Sequence, residues 1–341
     1  MGERRITMAD VASAAGVGVA TVDRVLNGRA KVRRKTAERV LEAASLLGYH
    51  ARGLIADRVA GTQPVCRLGF ILQKESKAFY QTLRNAIETA AGARTDSRVS
   101  TEVAFVDALS PDDLSSRIRG MSGKVDALGV VSIDHPSVTS AIDAATAAGC
   151  RVFSMLSPLS ASSVEGHIGV DGRKAGRTAG WLMRRHLSEG EVGILVGSHR
   201  YLGHEALEVG FRSYMREHAP DVQLKESLVY LDDAAVAYEA ASELLRRAPD
   251  LGGLYQCGGG VRGVLKALQQ DGRAGRIVYI CHEINAASER ALLDGTIAAT
   301  IATPIKSVAS RAVGTMVRAV RGKQRKPGTA LDFRIITPEN I

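Results

Sequence analysis

At 341 residues, 45% hydrophobic and 24% charged, the chain has room for two or three packed domains and does not belong to the disordered class. No apolar run nears the roughly 18 residues of a spanning helix, MGERRITMAD lacks the apolar core of a secretion signal, and four scattered cysteines without a CxxC pair argue against a zinc site or disulfide framework and fit a reducing cytoplasm. Of the formal net charge of +9, residues 1–60 carry +5, from eleven basic and six acidic side chains; a basic head on a nearly neutral body predicts a polyanion as the head's partner.

Up to about residue 60 the apolar spacing is helical throughout. Met8, Val11, Ala12 and Ala15 form one face, Val22, Val25 and Leu26 a second, and Val40, Leu41, Ala44 and Leu47 a third. Gly16 separates the first two helices, Asn27-Gly28 stops the second and Gly48 ends the third. The segment 57-DRVAGTQPV-65 reads as a linker. Beyond it, short apolar runs alternate with amphipathic stretches. The runs are 68–72, 102–106, 127–131, 152–156, 192–196, 253–257, 277–281 and 297–301; the helical stretches include 81–93, 137–148, 174–187, 202–217, 234–247 and 304–320. Alternation at these lengths implies βαβ crossovers and parallel sheets. So many strands over about 275 residues suit two doubly wound lobes better than one large sheet.

The segment 7-TMADVASAAGVGVATVDRVLNG-28 has the spacing of a helix-turn-helix: a helix over about 7–14, a turn through Gly16-Val17-Gly18, and a second helix over about 19–26. So short a turn needs a residue that accepts positive φ, which Gly16 does at no steric cost. Ala12 and Ala15 let the helices approach, Val22 and Val25 close the contact, and Thr7 can cap the first helix. The second helix then presents Val19, Ala20, Asp23 and Arg24 to the major groove. Arg24 suits a bidentate contact to guanine, and Val19 and Ala20 suit thymine methyls. Thr21, Asn27, Lys31 and Arg33 are placed to hold phosphates. A plain three-helix bundle with a solvated charged face is the alternative that spacing alone leaves open.

The stretches 9-ADVA-12, 19-VATVDRVLNG-28 and 39-RVLEAASLLGY-49 closely resemble the headpiece of the LacI/GalR family of bacterial regulators, and residues 68–341 look like its effector domain. The resemblance implies a small all-α helix-turn-helix headpiece followed by a two-lobed α/β domain of the periplasmic-binding-protein-like (type I) kind with parallel sheets. It implies a homodimer or tetramer that binds double-stranded operator DNA under control of a sugar, polyol or related effector. Two departures stand out. Gly18 and Asp23 occupy positions where the family often has Ser; Gly18 leaves orphan N–H groups of the second helix for phosphate or water, and Asp23 puts a negative charge beside DNA. At the hinge, the position of the family's minor-groove leucine falls on Arg58, with Val59 beside it; an arginine can act there electrostatically.

Parallel lobes bind ligands at the carboxyl ends of their strands. Residues following the apolar runs are therefore effector candidates: Phe79, Tyr80, Asp134, Ser157, His204, Glu205, Gln256, Arg262, His282, Glu283 and Thr303. Aromatic faces stack on a polyol while carboxylates and amides take its hydroxyls. In sugar-binding relatives, residues at the positions of Phe79 and Asp134 contact the sugar. A rival reading is enzymatic. Residues 258-GGGVRG-263 satisfy GxGxxG, and Glu283 follows 20 residues later, as in a dinucleotide fingerprint. The motif's late position in the fold and the bulky Arg262 count against it. No GxSxG, HExxH or P-loop occurs.

The expectation is therefore a cytoplasmic, non-enzymatic regulator without cofactor or metal, most simply the repressor of a carbohydrate uptake or catabolic operon. Its headpiece spans 1–49, its hinge 50–62 and its effector domain 63–341. The expected N-lobe takes 63–163 plus 287–322 and the C-lobe 164–286 plus 323–341, with crossings near Ser162-Ser163, Ala286-Ala287 and Gly322. Effector binding between the lobes would alter the separation of the paired headpieces.

Overall fold

A computed structural model of the chain describes residues 6–28, 32–61, 64–107, 110–323 and 330–341. The chain divides into two compact units: the residues up to Cys66 with Arg94–Val99, and the remainder.

The first unit is built on helices α1 (Met8–Ala15), α2 (Val19–Asn27), α3 (Arg34–Leu46) and α4 (Arg52–Gly61). Thr7 and Asp10 form a reciprocal capping box that starts α1. Gly16, at φ 61° and ψ 42°, ends it by donating to Ala12 and Ser13 carbonyls. Gly28 ends α2 in the same left-handed conformation. The core joins Val11, Ala12 and Ala15 of α1 to Val22 and Val25 of α2 and Val40 of α3. The stretch 50–62, expected as a hinge, carries α4, whose Ile55 and Val59 are buried in this same cluster.

The second unit contains β1 (Val65–Gln73), α5 (Ala78–Gly92), β2 (Arg98–Val106), α6 (Pro111–Ser122), β3 (Ala127–Val130), α7 (Pro136–Ala147), β4 (Arg151–Met155), β5 (Gly166–Ile168) and α8 (Gly172–His186). There follow β6 (Gly190–Val196), α9 (Leu202–His218), β7 (Val222–Val229), α10 (Ala234–Arg247), β8 (Leu251–Cys257) and α11 (Val261–Asp271). The chain then runs through β9 (Val278–His282), α12 (Ala286–Leu293), β10 (Ala299–Ala302), α13 (Ile305–Val320) and β11 (Arg334–Ile336). Two sheets result, ordered β2-β1-β3-β4-β5 and β11-β10-β9-β8-β6-β7. The registered pairs are parallel except β10 with β11. Parallel strands covered by helices on both faces read as continuous apolar runs; β3 and β10 are buried at every position.

Two lobe boundaries need correction. Gly166–Ile168 pairs with β4 and so extends the first sheet, which moves the first crossing from 162–163 to 169–171. β10 pairs with β9 in the second sheet, which moves the next crossing from 286–287 to 303–304. The physical reason is that Ala299–Ala302 is fully buried and needs strand partners on each side, which β9 and β11 supply. Of the expected 287–322 segment, α13 does pack on the first lobe, against α5, β3, β4 and β5.

Some helices are held unusually close. Gly176 and Gly180 of α8 face α9, and a Cβ on Gly176 would stand 2.0 Å from the Leu207 carbonyl oxygen. Gly263 of α11 does the same against α10, 1.9 Å from Ala234 O. The last glycine of 258–263 thus serves helix packing.

Candidate functional site

In the first unit, α2 buries Val22 and Val25 and exposes Val19, Ala20, Arg24 and Asn27, with Thr21 and Asp23 half-buried. Its N-cap, Gly18, makes no side-chain cap bond; the Thr21 N–H donates to Gly18 O at 2.8 Å, which leaves the N–H groups of Val19 and Ala20 open to an anion or water. Asn27 Nδ2 donates to Asp23 Oδ1 at 2.6 Å; part of Asp23's acceptor capacity is met within the helix. Thr7 is exposed but its hydroxyl is occupied in the capping box. Arg33 is an exposed N-cap of α3. Lys31 lies outside the described residues. Arg58 is exposed, and its guanidinium would lie 3.3 Å from a Cβ at Gly28, just beyond α2. Val59 cannot reach a duplex from this position: it is 6% exposed, in the head's own core. The spacing that puts Ile55 and Val59 one helical turn apart also turns both inward.

In the second unit, the carboxyl ends of the strands converge on a cavity of about 1110 Å³ of empty space, part of it open to solvent. Strand β1 leads into Lys77, Phe79 and Tyr80; β4 into Leu156, Ser157 and Pro158; β6 into Tyr201 and His204; β7 into Asp232; β8 into Gly258 and Gly259; β9 into His282 and Glu283; β10 into Thr303. Seven effector candidates therefore meet here: Phe79, Tyr80, Ser157, His204, His282, Glu283 and Thr303.

Four do not line the cavity. Asp134 instead accepts from Ser160 N and Ser160 Oγ, both at 2.9 Å, and holds the loop after β4. Glu205 is exposed on α9, about 100° round the helix from His204. Gln256 is fully buried beneath the wall, donating to Gly259 O at 2.7 Å and accepting from the Tyr279 hydroxyl. Arg262 points to solvent from α11.

Lys77, Tyr201 and Asp232 escaped the sequence reading. Asp232 follows β7, a half-exposed strand of mixed polarity whose short apolar run, 228-LVYL-231, straddles its end. Lys77 is two residues before Phe79, just ahead of α5, where the aromatic pair Phe79-Tyr80 is the more prominent signal. Lys77 and Asp232 form an ion pair across the cleft. Lys77 Nζ, from the first lobe, donates to Asp232 Oδ2 at 2.7 Å and Asp232 O at 2.8 Å in the second. Lys74 Nζ adds bonds to Asp232 O at 3.0 Å and Leu231 O at 3.3 Å. The other Asp232 oxygen accepts from Gly259 N at 2.7 Å.

Electrostatics sort the ionisable groups. Burial alone would raise the Asp232 carboxyl, but Lys77, His204 and the Gly259 N–H hold it below its usual range. Burial lowers His204; burial, helped by His204, lowers His282 to about 3, so both rings are neutral at pH 7. Glu283 goes the other way: burial and the nearby Asp232 charge raise it to about 7, against the pull of Lys77. Among the described residues no hydrogen bond or ion pair reaches the Glu283 carboxyl. Backbone strain gathers in the same place. The positive-φ non-glycine residues among those described are Lys74, Leu156, Leu231, Asp232 and Glu283; three line the cavity and the other two are joined at its rim. Left-handed backbone at such residues costs roughly 1–3 kcal/mol each.

The geometry also decides what the glycine-rich loop holds. In a dinucleotide site its N–H groups face phosphate. Here the Gly259 N–H faces the Asp232 carboxylate, and a Cβ on Gly258 would stand 2.8 Å from the same Oδ1. A pyrophosphate would meet a like charge.

A family model described as "Periplasmic binding protein domain" matches residues 68–324, and one described as "Bacterial regulatory proteins, lacI family" matches residues 7–51. The chain is similar to the HTH-type transcriptional regulator GalS of Salmonella typhimurium, 40% identical over 86 residues, 25% of each chain. It is similar to catabolite control protein A of Priestia megaterium, 38% over 90 residues, again 25% of each. The aligned part is thus about a quarter of the length of these relatives. Among solved structures, GanP, a glucose-galactose binding protein from Geobacillus stearothermophilus, superposes with TM-score 0.74 at 20% identity, over 81% of this chain and 99% of that one. A periplasmic solute binding protein from Actinobacillus succinogenes with bound D-allose gives TM-score 0.74 at 18% identity, over 81% and 98%. At these identities the likeness establishes the fold.

Proposed function

The chain belongs to the periplasmic binding protein domain family and, through its head, to the bacterial regulatory proteins of the lacI family; from that premise we propose that it is a cytoplasmic, homodimeric transcription regulator, a repressor of a carbohydrate operon whose DNA affinity is set by a small ligand in the cleft. The observation that carries this reading is that one chain combines a helix-turn-helix with an open-ended second helix and a ligand-sized cavity at converging strand ends. In it, Arg24 reads a base edge, Val19 and Ala20 pack on thymine methyls, and Gly18, Thr21, Asn27, Arg33 and Lys31 secure phosphates. Phe79, Tyr80 and Tyr201 offer ring faces, and Asp232, Glu283, Ser157 and Thr303 offer polar partners, a combination suited to a polyol.

The ligands of the structural neighbours, glucose or galactose and D-allose, favour the same class. Control follows from linkage: the ligand shifts DNA occupancy only by its difference in affinity for the DNA-bound and DNA-free states, about 5.5 kcal/mol for a swing from 1:99 to 99:1. The dinucleotide-enzyme reading is disfavoured by the carboxylate seated in the glycine loop. The test selects duplexes from genomic fragments with the full chain and then titrates sugars and polyols onto the complex. The reading expects one duplex preferred over random competitor and one sugar or polyol that changes its affinity. Absence of any duplex preference would refute it.

A further inference from the structure

Resting on the reading of this cavity as the effector site, we propose that the effector presents a protonated amine to Glu283: it is an amino sugar or amino alditol, and neither a sugar phosphate nor a sugar acid.

The argument is one of charge balance and unused capacity. The ionisable side chains lining the cavity are Lys77, His204, Asp232, His282 and Glu283, with Tyr80 and Tyr201, whose hydroxyls burial raises and keeps neutral. Lys77 and Asp232 form a 2.7 Å ion pair and neutralise each other. His282 Nε2 is engaged with the Tyr255 hydroxyl at 2.8 Å, and His204 Nδ1 accepts from Ser198 N at 3.2 Å; burial keeps both neutral. From the neighbouring elements, Lys74 is bound to the carbonyls of 231 and 232, while Asp233 caps α10 at its other side. Glu283 is left over. Its carboxyl points into the cavity without a protein partner among the described residues, on a residue held at φ 76°.

A carboxyl in such a position lacks a cation or a donor, and a ligand ammonium supplies both through a charge-assisted hydrogen bond. Phe79 and Tyr80, in edge-to-face contact at 5.2 Å, stand on the same cavity wall system and tolerate a cation against their ring faces. Anions meet the opposite situation. Asp232 fills the concavity of the glycine loop and Glu283 stands beside it, with Oε2 3.0 Å from where a Gly259 Cβ would be.

The experiment titrates the full-length protein by calorimetry with sets of matched probes: 2-amino-2-deoxyhexoses and 1-aminoalditols, their N-acetyl forms, the parent hexoses and alditols, and the corresponding 6-phosphates. An amine should bind at least about tenfold more tightly than its own N-acetyl and parent compounds. Its affinity should rise about tenfold from pH 6 to pH 8 as Glu283 ionises around pH 7, measured with an aminoalditol that stays protonated over that range. Glu283→Gln should abolish both the preference and the pH effect, and Glu283→Asp should retain the preference in part. If either variant misfolds, the wild-type pH series alone decides. A parent, N-acetyl or phosphorylated compound binding as tightly as its amine overturns the proposal and leaves the sugar-cleft reading standing. If no compound of any set binds, both fall.

Discussion

Asp232→Asn isolates the charge of the cross-cleft pair. Asparagine keeps an oxygen for the Gly259 N–H and tolerates the left-handed conformation, φ 55°, that Asp232 adopts. The charge is lost, and with it the attraction for Lys77 and the repulsion that raises Glu283. Removing one member of a fully buried pair costs about 3–5 kcal/mol; with the Lys77 and Asp232 side chains 23% and 14% exposed, solvent screening reduces this to about 2–3 kcal/mol. Asp232→Ala should cost roughly another 1–3 kcal/mol, because the Gly259 N–H is then orphaned. Trp181, in α8, is the chain's single tryptophan, so its fluorescence reports urea unfolding of the second unit. At an m of about 2 kcal/mol/M the asparagine variant's midpoint should fall by about 1 M. Adding Lys77→Met to Asp232→Asn should restore most of the loss, since the stranded ammonium is removed. An unchanged midpoint for Asp232→Asn, or a double variant no better than the single one, would refute the ion-pair argument.

Four further outcomes are expected. Because Glu283 is raised from 4.5 to about 7, its contribution is fully present in acid and is lost as pH rises through that window; wild-type stability minus that of Glu283→Gln should fall by up to about 3 kcal/mol across it, and a flat difference curve from urea unfolding at each pH contradicts this. Arg24→Ala should relax operator specificity by about 1–3 kcal/mol, which an unchanged selected sequence would disprove. Val59→Ala should destabilise the head by about 2 kcal/mol, read by urea unfolding of the full chain followed by circular dichroism; an unchanged stability would show that Val59 does not hold the head's core. Gly176→Ala should destabilise the second unit by about 3 kcal/mol or more, since its Cβ meets backbone 2.0 Å away, and a neutral effect would show that α8 and α9 can separate freely.

The head was legible because its signals are local. Thr7, Gly16, Gly18 and Gly28 each act within a few residues of themselves, and the 3.6-residue period of α1, α2 and α3 needs no tertiary context. All eight expected apolar runs fall on strands, most of them covered on both faces; β2, at the edge of its sheet, is half-exposed. The strands that escaped were β5, three residues long, β7, and β11, also three residues long. The half-exposed β7 mixes polar and apolar residues, and its apolar run 228-LVYL-231 begins only at its last two positions. Missing β7 meant missing Asp232, whose role depends on a lysine 155 residues away in sequence. Asp134 illustrates the converse error: it follows a strand as a ligand residue should, but its carboxylate is taken by the Ser160 N–H and hydroxyl. Proximity to a strand end is a sequence property, whereas the direction of a carboxylate is decided by which partner wins it.

The connections between the two sheets have a consequence for how the cleft can open. The first is three residues, 169–171, and the second is Thr303-Pro304. The outgoing chain near residue 331 runs alongside the first, with Leu331 N donating to Gly169 O at 2.9 Å and Val170 bridged to Leu331. Proline's ring locks one of the few dihedrals available, leaving Pro304 with φ −77°. Any swing of one lobe must therefore be absorbed by a handful of backbone torsions, two of the three strands moving as a tied pair. Such a joint has a defined axis, so that very different ligands would produce the same motion and differ only in how far along it they hold the molecule.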